Sequence, residues 1–246
     1  MPRPQFPDAI LETLAKLDVP SLTFLTDGSC KNPTYNDTCF SAYAIVADLS
    51  TADEHRKHAA EGFLVLGKIT NILQTVLVGR TQGKHCIHRA ELSAIVLLFE
   101  IFENFSVYTD SATSIALINR CRSALSLEEL CNHEDVDLLQ RIYFAMSPTK
   151  QVHKIKAHQN LTSIRDPLKR FHALGNMVAD LSAAKACDSL FPTVVDQLNE
   201  FFLDQKQQRE RVFSYYKLRV DLQLARAKSH PTMTSLIILL GTLRRC

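Results

Sequence analysis

The 246-residue chain contains no tryptophan, and its seven cysteines, at 30, 39, 86, 121, 131, 187 and 246, include no C-x-x-C pair. Nearby histidines do not complete a zinc-finger spacing either, so the cysteines read as reduced core or surface thiols. Residues 1–10 lack a basic stretch followed by an apolar run, so nothing suggests secretion and an intracellular setting, cytoplasmic or nuclear, is expected. The longest late apolar run, residues 236–240, is far too short to cross a bilayer, so no membrane partner is expected. No tract is depleted of apolar side chains, which excludes global disorder, and no internal repeat is evident.

What is present is the composition of an ordinary globular protein, 46% hydrophobic and 22% charged. The length exceeds that of one usual domain and suggests one main domain with a helical appendage. Net charge is only +2, but it is segregated: from Asp204 onward nine lysines and arginines face three acids, a net of +6, which leaves −4 for the rest.

Residues 8–18 have the pattern of a short amphipathic helix, and Pro20 separates them from a strand-like segment, 22–26, that ends at Asp27. A turn-forming stretch with Asn32, Pro33, Asn36 and Asp37 leads to a β-rich run over 40–47, the pattern of an antiparallel hairpin. More strand-like material lies at 63–66 and 75–78. The segment 89–102 is apolar nearly all round, as expected of a helix buried against a sheet, with Glu91 the anomaly in its first turn. A strand over 105–109 precedes a helix that begins near Ser111, a suitable N-cap, and further helix up to about Met146. A strand over 151–157 and a helix over about 173–187 complete the pattern. Hairpin strands followed by alternating strands and helices predict an α/β fold, a mixed sheet with helices on its faces. Residues 188–229 read as largely polar helix with Phe201, Phe202, Val212, Phe213, Tyr215, Tyr216, Leu218, Leu222 and Leu224 as a candidate docking stripe.

Four carboxylates fall where such a fold can gather them: Asp27 at a strand end, Glu91 in a helix's first turn, Asp110 at the next strand end and Asp180 in a late helix. Hard oxygen ligands of this kind suit Mg²⁺ or Mn²⁺ rather than zinc, and without cations the clustered acids repel one another. Two such ions about 3.5 to 4 Å apart can activate a water and stabilise a leaving oxygen in phosphodiester hydrolysis. Taken singly, each residue has a plainer role available: Asp27 before Gly28 as a turn starter, Glu91 as a first-turn acid, Asp110 as half of an N-cap pair, Asp180 as a helix-surface acid.

Five ordered motifs give the set its specificity. Thr26-Asp27-Gly28-Ser29, Arg89-Ala90-Glu91-Leu92, Thr109-Asp110-Ser111, Lys156-Ala157-His158 and Gly175-Asn176-x-x-Ala179-Asp180 resemble the successive motifs of type 1 ribonucleases H, including those of retroelement polyproteins. The resemblance implies a ribonuclease H-like fold, a mixed five-stranded sheet flanked by helices, over residues 20–187, after a helical lead-in over 1–19 and before a basic helical extension over 188–246. It implies an endonuclease that hydrolyses the RNA strand of RNA·DNA hybrids with two Mg²⁺ ions, for which Mn²⁺ can substitute. Asp27, Glu91, Asp110 and Asp180 would be the metal ligands, and His158 the mobile group aiding proton transfer or product release. Asn176 would contact substrate, and Gly28, Ser29, His88 and Arg89 would lie near the minor groove, where 2′-hydroxyls distinguish RNA from DNA.

Three departures from the family pattern stand out. The interval from Asp27 to Glu91 is long, which predicts an enlarged loop or extra hairpin within 48–84. The interval from His158 to Asp180 is also long, with an insert near 165–171. The basic, tryptophan-containing protrusion of some members is replaced by Glu128, Glu129, Glu134, Asp135 and Asp137, so the basic tail would have to supply the phosphate-neutralising charge. No Y-x-D-D tetrad occurs, so a reverse transcriptase, if one supplies the hybrid, is a separate polypeptide. The competing reading is a catalytically weak ribonuclease H fold serving as a nucleic-acid-binding or assembly module. Exonucleases on the same fold fit less well, because they carry D-x-E on the first strand where Asp27 is followed by Gly28 and Ser29.

Overall fold

A computed structural model describes residues 6–17, 19, 21–31, 39–51, 54, 72–190, 203–204 and 206–221. The expected strand at 63–66, the turn at 32–37 and most of the enlarged loop within 48–84 lie outside those residues. So do Phe201, Phe202, Leu222 and Leu224. The chain divides into two compact units, residues 1–192 and 193–246.

In the first unit, strands β1 (Leu22–Lys31), β2 (Phe40–Asp48), β3 (Leu73–Arg80), β4 (Phe105–Thr109) and β5 (Lys150–Lys154) form one sheet in the order β3-β2-β1-β4-β5. β2 pairs antiparallel with β1 and β3, while β4 pairs parallel with β1 and β5. This is the mixed five-stranded sheet expected. Helices α1 (Asp8–Ala15), α2 (Ile87–Ile101), α3 (Ala112–Ser123), α4 (Val136–Phe144) and α5 (Pro167–Leu190) flank it, with short 3₁₀ turns at Leu127–Leu130 and Leu161–Ser163.

Alternation along the strands sorts side chains to two faces. Phe24, Ile45 and Val107 join Ile95, Leu98, Phe99, Ile118 and Leu139 in the larger core, so α2, α3 and α4 cover that face. Leu25 and Val46 join Phe171, Leu174 and Ala179 from α5 in a smaller core on the other. Every residue of α2 from Arg89 to Phe99 is buried except Glu91, which is half-buried.

Several boundaries differ from the sequence reading: the helix expected over 8–18 ends at Ala15, and the strand expected over 151–157 ends at Lys154. β1 does not end at Asp27: its parallel pairing with β4 stops at Leu25↔Tyr108, but its antiparallel pairing with β2 continues to Lys31↔Phe40. The helical stretch after Ser111 is broken into α3, a 3₁₀ turn and α4. α5 starts at Pro167 rather than near Ala173. Proline is pre-organised for the first helical position, and Asp166 before it accepts the Lys169 backbone N–H at 3.1 Å, so this Asp-Pro pair caps the helix.

In the second unit, residues 206–221 are helical. Val212, Phe213, Tyr215, Tyr216 and Leu218 of the expected stripe are exposed on that helix. No helix among the described residues is long and apolar enough to cross a membrane. Cys30, Cys39, Cys86, Cys121, Cys131 and Cys187 are all free thiols.

Candidate metal centre

Asp27 sits two residues past the last parallel pair of β1, where the strand has lost β4 as a neighbour but keeps β2. Asp110 follows the last residue of β4. Parallel neighbours end on the same side of a sheet, so the two carboxylates emerge together. α2 then brings Glu91 against β1, and Gly28 permits the approach. A Cβ at Gly28 would lie 2.7 Å from the Glu91 backbone nitrogen and 2.9 Å from Ala90 Cβ, so only glycine fits without displacement. On the opposite face Gly175 seats α5 on β1 in the same way, since a Cβ there would lie 2.6 Å from Leu25 Cδ2.

The result is a trio, Asp27, Glu91 and Asp110, each offering a carboxylate oxygen within 4.8 Å of the others. Asp180 stands close enough for its charge to act on Asp27. Asp27 is buried, and burial, then the charge of Asp110, then those of Asp180 and Glu91, push its carboxyl up to about 8 against the pull of the Gly28 N–H, 2.7 Å from Oδ1. Glu91 is raised chiefly by burial and lowered in part by the Ser111 hydroxyl, which donates to Oε2 at 2.5 Å. Three carboxylates so placed cannot all ionise cheaply in isolation. An all-oxygen donor set with this separation fits a hard divalent cation, whose charge removes the repulsion. Asn176 strengthens the fit: its Nδ2 donates to Asp110 Oδ2 at 3.2 Å, while its buried Oδ1 has no hydrogen-bond partner and is available to a cation-bound water.

The other predicted residues are distributed unevenly. Ser29 is half-buried on β1, its carbonyl accepting from the Cys187 thiol at 3.3 Å. Asn176 is buried and holds Asp110 rather than standing open to solvent. His88 is half-exposed and turned toward Glu134, with Nε2 3.3 Å from Oε1. Arg89, expected at the groove, is 5% exposed; it binds Asp135 at 2.6 Å, Asp137 at 2.5 Å and the Gln82 carbonyl at 2.6 Å. With its donors taken up internally, Arg89 is a brace between α2 and α4 and not a free cation. His158 lies on an exposed turn after β5 with a left-handed backbone, φ 44°, outside the carboxylate trio.

Sequence reasoning missed two supports of the site. Ser111 was legible as an N-cap, and it does accept the Ser114 N–H, but its hydroxyl also holds Glu91. The acids 135 and 137 read only as a lost basic handle, whereas they fasten Arg89. Their i, i+2 spacing before a helix was the available signal.

Fold and site together define an α/β domain, a mixed five-stranded sheet flanked by helices, with an acidic cluster able to hold a divalent cation. Among solved structures, the chain is similar to the PFV RNase H domain, with TM-score 0.45 and 20% identity over 68% of this chain and 94% of that one. It is also similar to the protease-reverse transcriptase of prototype foamy virus, with TM-score 0.46 and 18% identity, covering 70% of this chain and 22% of that one. RNase H1 of the halophilic archaeon Halobacterium salinarum gives TM-score 0.38 and 13% identity over 69% of this chain and 98% of that one. No protein-family model and no curated protein sequence matches the chain.

Proposed function

We propose that the protein is an endonuclease that hydrolyses the RNA strand of RNA·DNA hybrids. The observation that carries this reading is the carboxylate trio within 4.8 Å at the end of the β1/β4 parallel pair, beside Asp180. Asp27, Glu91, Asp110 and Asp180 would hold the cations. When bound, a pair of Mg²⁺ ions, or Mn²⁺ in their place, would activate the attacking water and stabilise the leaving oxygen.

The chain's own residues do the placing. Asn176 and Ser111 fix Asp110 and Glu91, and the Gly28 amide holds one oxygen of Asp27 so that the other is presented to the site. His158, on its exposed turn after β5, would be the group that accepts or delivers a proton. The hybrid's minor groove would run along Gly28, Ser29 and the His88-Arg89 turn, where 2′-hydroxyls are accessible. Arg89 would act there through Asp135 and Asp137, by holding the turn. The motif wording suggests a retroelement origin, with the hybrid supplied inside the cell by a separate reverse transcriptase.

The test is cleavage of a labelled RNA·DNA hybrid with Mg²⁺ or Mn²⁺, beside double-stranded RNA and double-stranded DNA. Hybrid-only cutting that falls at least about 100-fold in Asp110→Asn is the expected result. No cutting by folded protein with either ion would replace this reading with a non-catalytic nucleic-acid-binding or assembly module.

A further inference from the structure

A second group of metal-ligating side chains lies outside the carboxylate trio, where the first turn of α2 meets the segment leading into α4. His88 Nε2 is 3.3 Å from Glu134 Oε1 and 3.9 Å from Asp135 Oδ2, and one ligand atom from each of the three lies within 4.8 Å of the others. Asp135 is 2% exposed. Its Oδ1 accepts from Arg89 at 2.6 Å, but its Oδ2 is buried and has no hydrogen-bond partner. The second nearby imidazole does not supply one: His133 Nδ1 is 3.9 Å from Oδ2 and already accepts the Asp135 backbone N–H at 3.1 Å. A buried carboxylate oxygen without a hydrogen-bond partner, 3.9 Å from an imidazole nitrogen and beside another carboxylate, is placed as a cation ligand would be.

We propose that His88, Glu134 and Asp135 bind one divalent transition-metal ion of the zinc class. Imidazole favours zinc and its neighbours in the first transition row over Mg²⁺, and Cys86 Sγ, 3.3 Å from His88 Nε2, is the nearest further donor and a soft one. Bonds of 2.0 to 2.1 Å in a tetrahedron put ligand atoms about 3.4 Å apart, so the observed 3.3 and 3.9 Å need only small side-chain adjustments. The outer partners are also in place. Lys84 takes Glu134 Oε2 at 2.8 Å and Arg89 takes Asp135 Oδ1, so each ligating carboxylate is held by one oxygen and turns the other to the ion. The ion would clamp the start of α4 to the turn of α2 that carries Glu91. This site shares no ligand with the proposed nuclease centre and stands whether or not that centre is active.

The experiment uses the full chain and Co²⁺, a spectroscopic substitute for zinc, in excess Mg²⁺ to saturate the all-oxygen cluster. One equivalent of Co²⁺ should develop visible absorption of tetrahedral strength that Zn²⁺ displaces and Mg²⁺ does not. His88→Ala should weaken Co²⁺ binding more than about 100-fold, as should Glu134→Gln on its exposed side chain, while Asp110→Asn leaves it unchanged. Folded wild-type protein that takes up no Co²⁺ or Zn²⁺ would overturn the proposal. So would uptake that survives both His88→Ala and Glu134→Gln, or that Asp110→Asn abolishes.

Discussion

Asp27 shows how a single side chain can link stability to function. Its carboxyl titrates near 8 in the fold and near 3.8 in an unfolded chain, so between those values the folded state holds the extra proton. Stability of the metal-free protein should therefore fall as pH rises from about 4 to 8, by on the order of a few kcal/mol. Urea midpoints measured in a chelator across that range should show the decline, and Asp27→Asn should flatten it while raising metal-free stability at pH 8. Added Mg²⁺ should restore wild-type stability most at the alkaline end, because the cation binds the ionised form. Gly28 predicts the opposite kind of effect. Gly28→Ala must displace the Glu91 backbone and should cost about 1 to 3 kcal/mol in urea unfolding while weakening divalent-ion binding.

Among the elements, α2 is the one on which the site depends, and Arg89 is its fastening. Arg89 and Asp135 have side chains 6% and 3% exposed, whereas Asp137 is 58% exposed. Arg89→Ala strands a buried acid and should cost about 3 to 5 kcal/mol, while Asp137→Ala should cost about 1, as chemical denaturation of the two variants would show. This asymmetry was invisible in the sequence, where both acids looked like surface charge. The apolar periods of α2 and the strands were legible because they are local, and Asp27, Glu91 and Asp110, each within a short motif, are brought together in the fold. Contacts such as Asn176 to Asp110, or Arg89 to Asp135, join residues far apart in the chain and have no local pattern. The Asp166-Pro167 cap was local and still passed over, because the stretch read as an insert within a longer gap.

For the whole molecule, charge is divided between residues 1–203, net −4, and the basic stretch from Asp204 onward, net +6. If the tail supplies phosphate contacts, changing Lys206, Arg209, Arg211 and Lys217 together to glutamine in the full chain should weaken hybrid binding. The plot of log affinity against log salt should become shallower by about 0.9 for each cation that touches phosphate. These four residues are exposed on the 206–221 helix, so their replacement should leave the melting temperature of the first unit unchanged. An unaltered salt slope would remove the tail from the binding account.

The order β3-β2-β1-β4-β5 also sets a timetable. β1 is made first and lies at the centre of the sheet, but β4 is synthesised much later and α5, with Asn176 and Asp180, later still. A nascent chain therefore carries Asp27 without the rest of the trio until Asp110 has been made, and without Asn176 and Asp180 until α5 has followed. The proposed nuclease site is complete only when α5 has left the ribosome and closed over Leu25. A ribosome stalled before α5 should display a chain that carries all three carboxylates of the trio but lacks Asn176 and Asp180, and it should bind Mg²⁺ more weakly than the released protein.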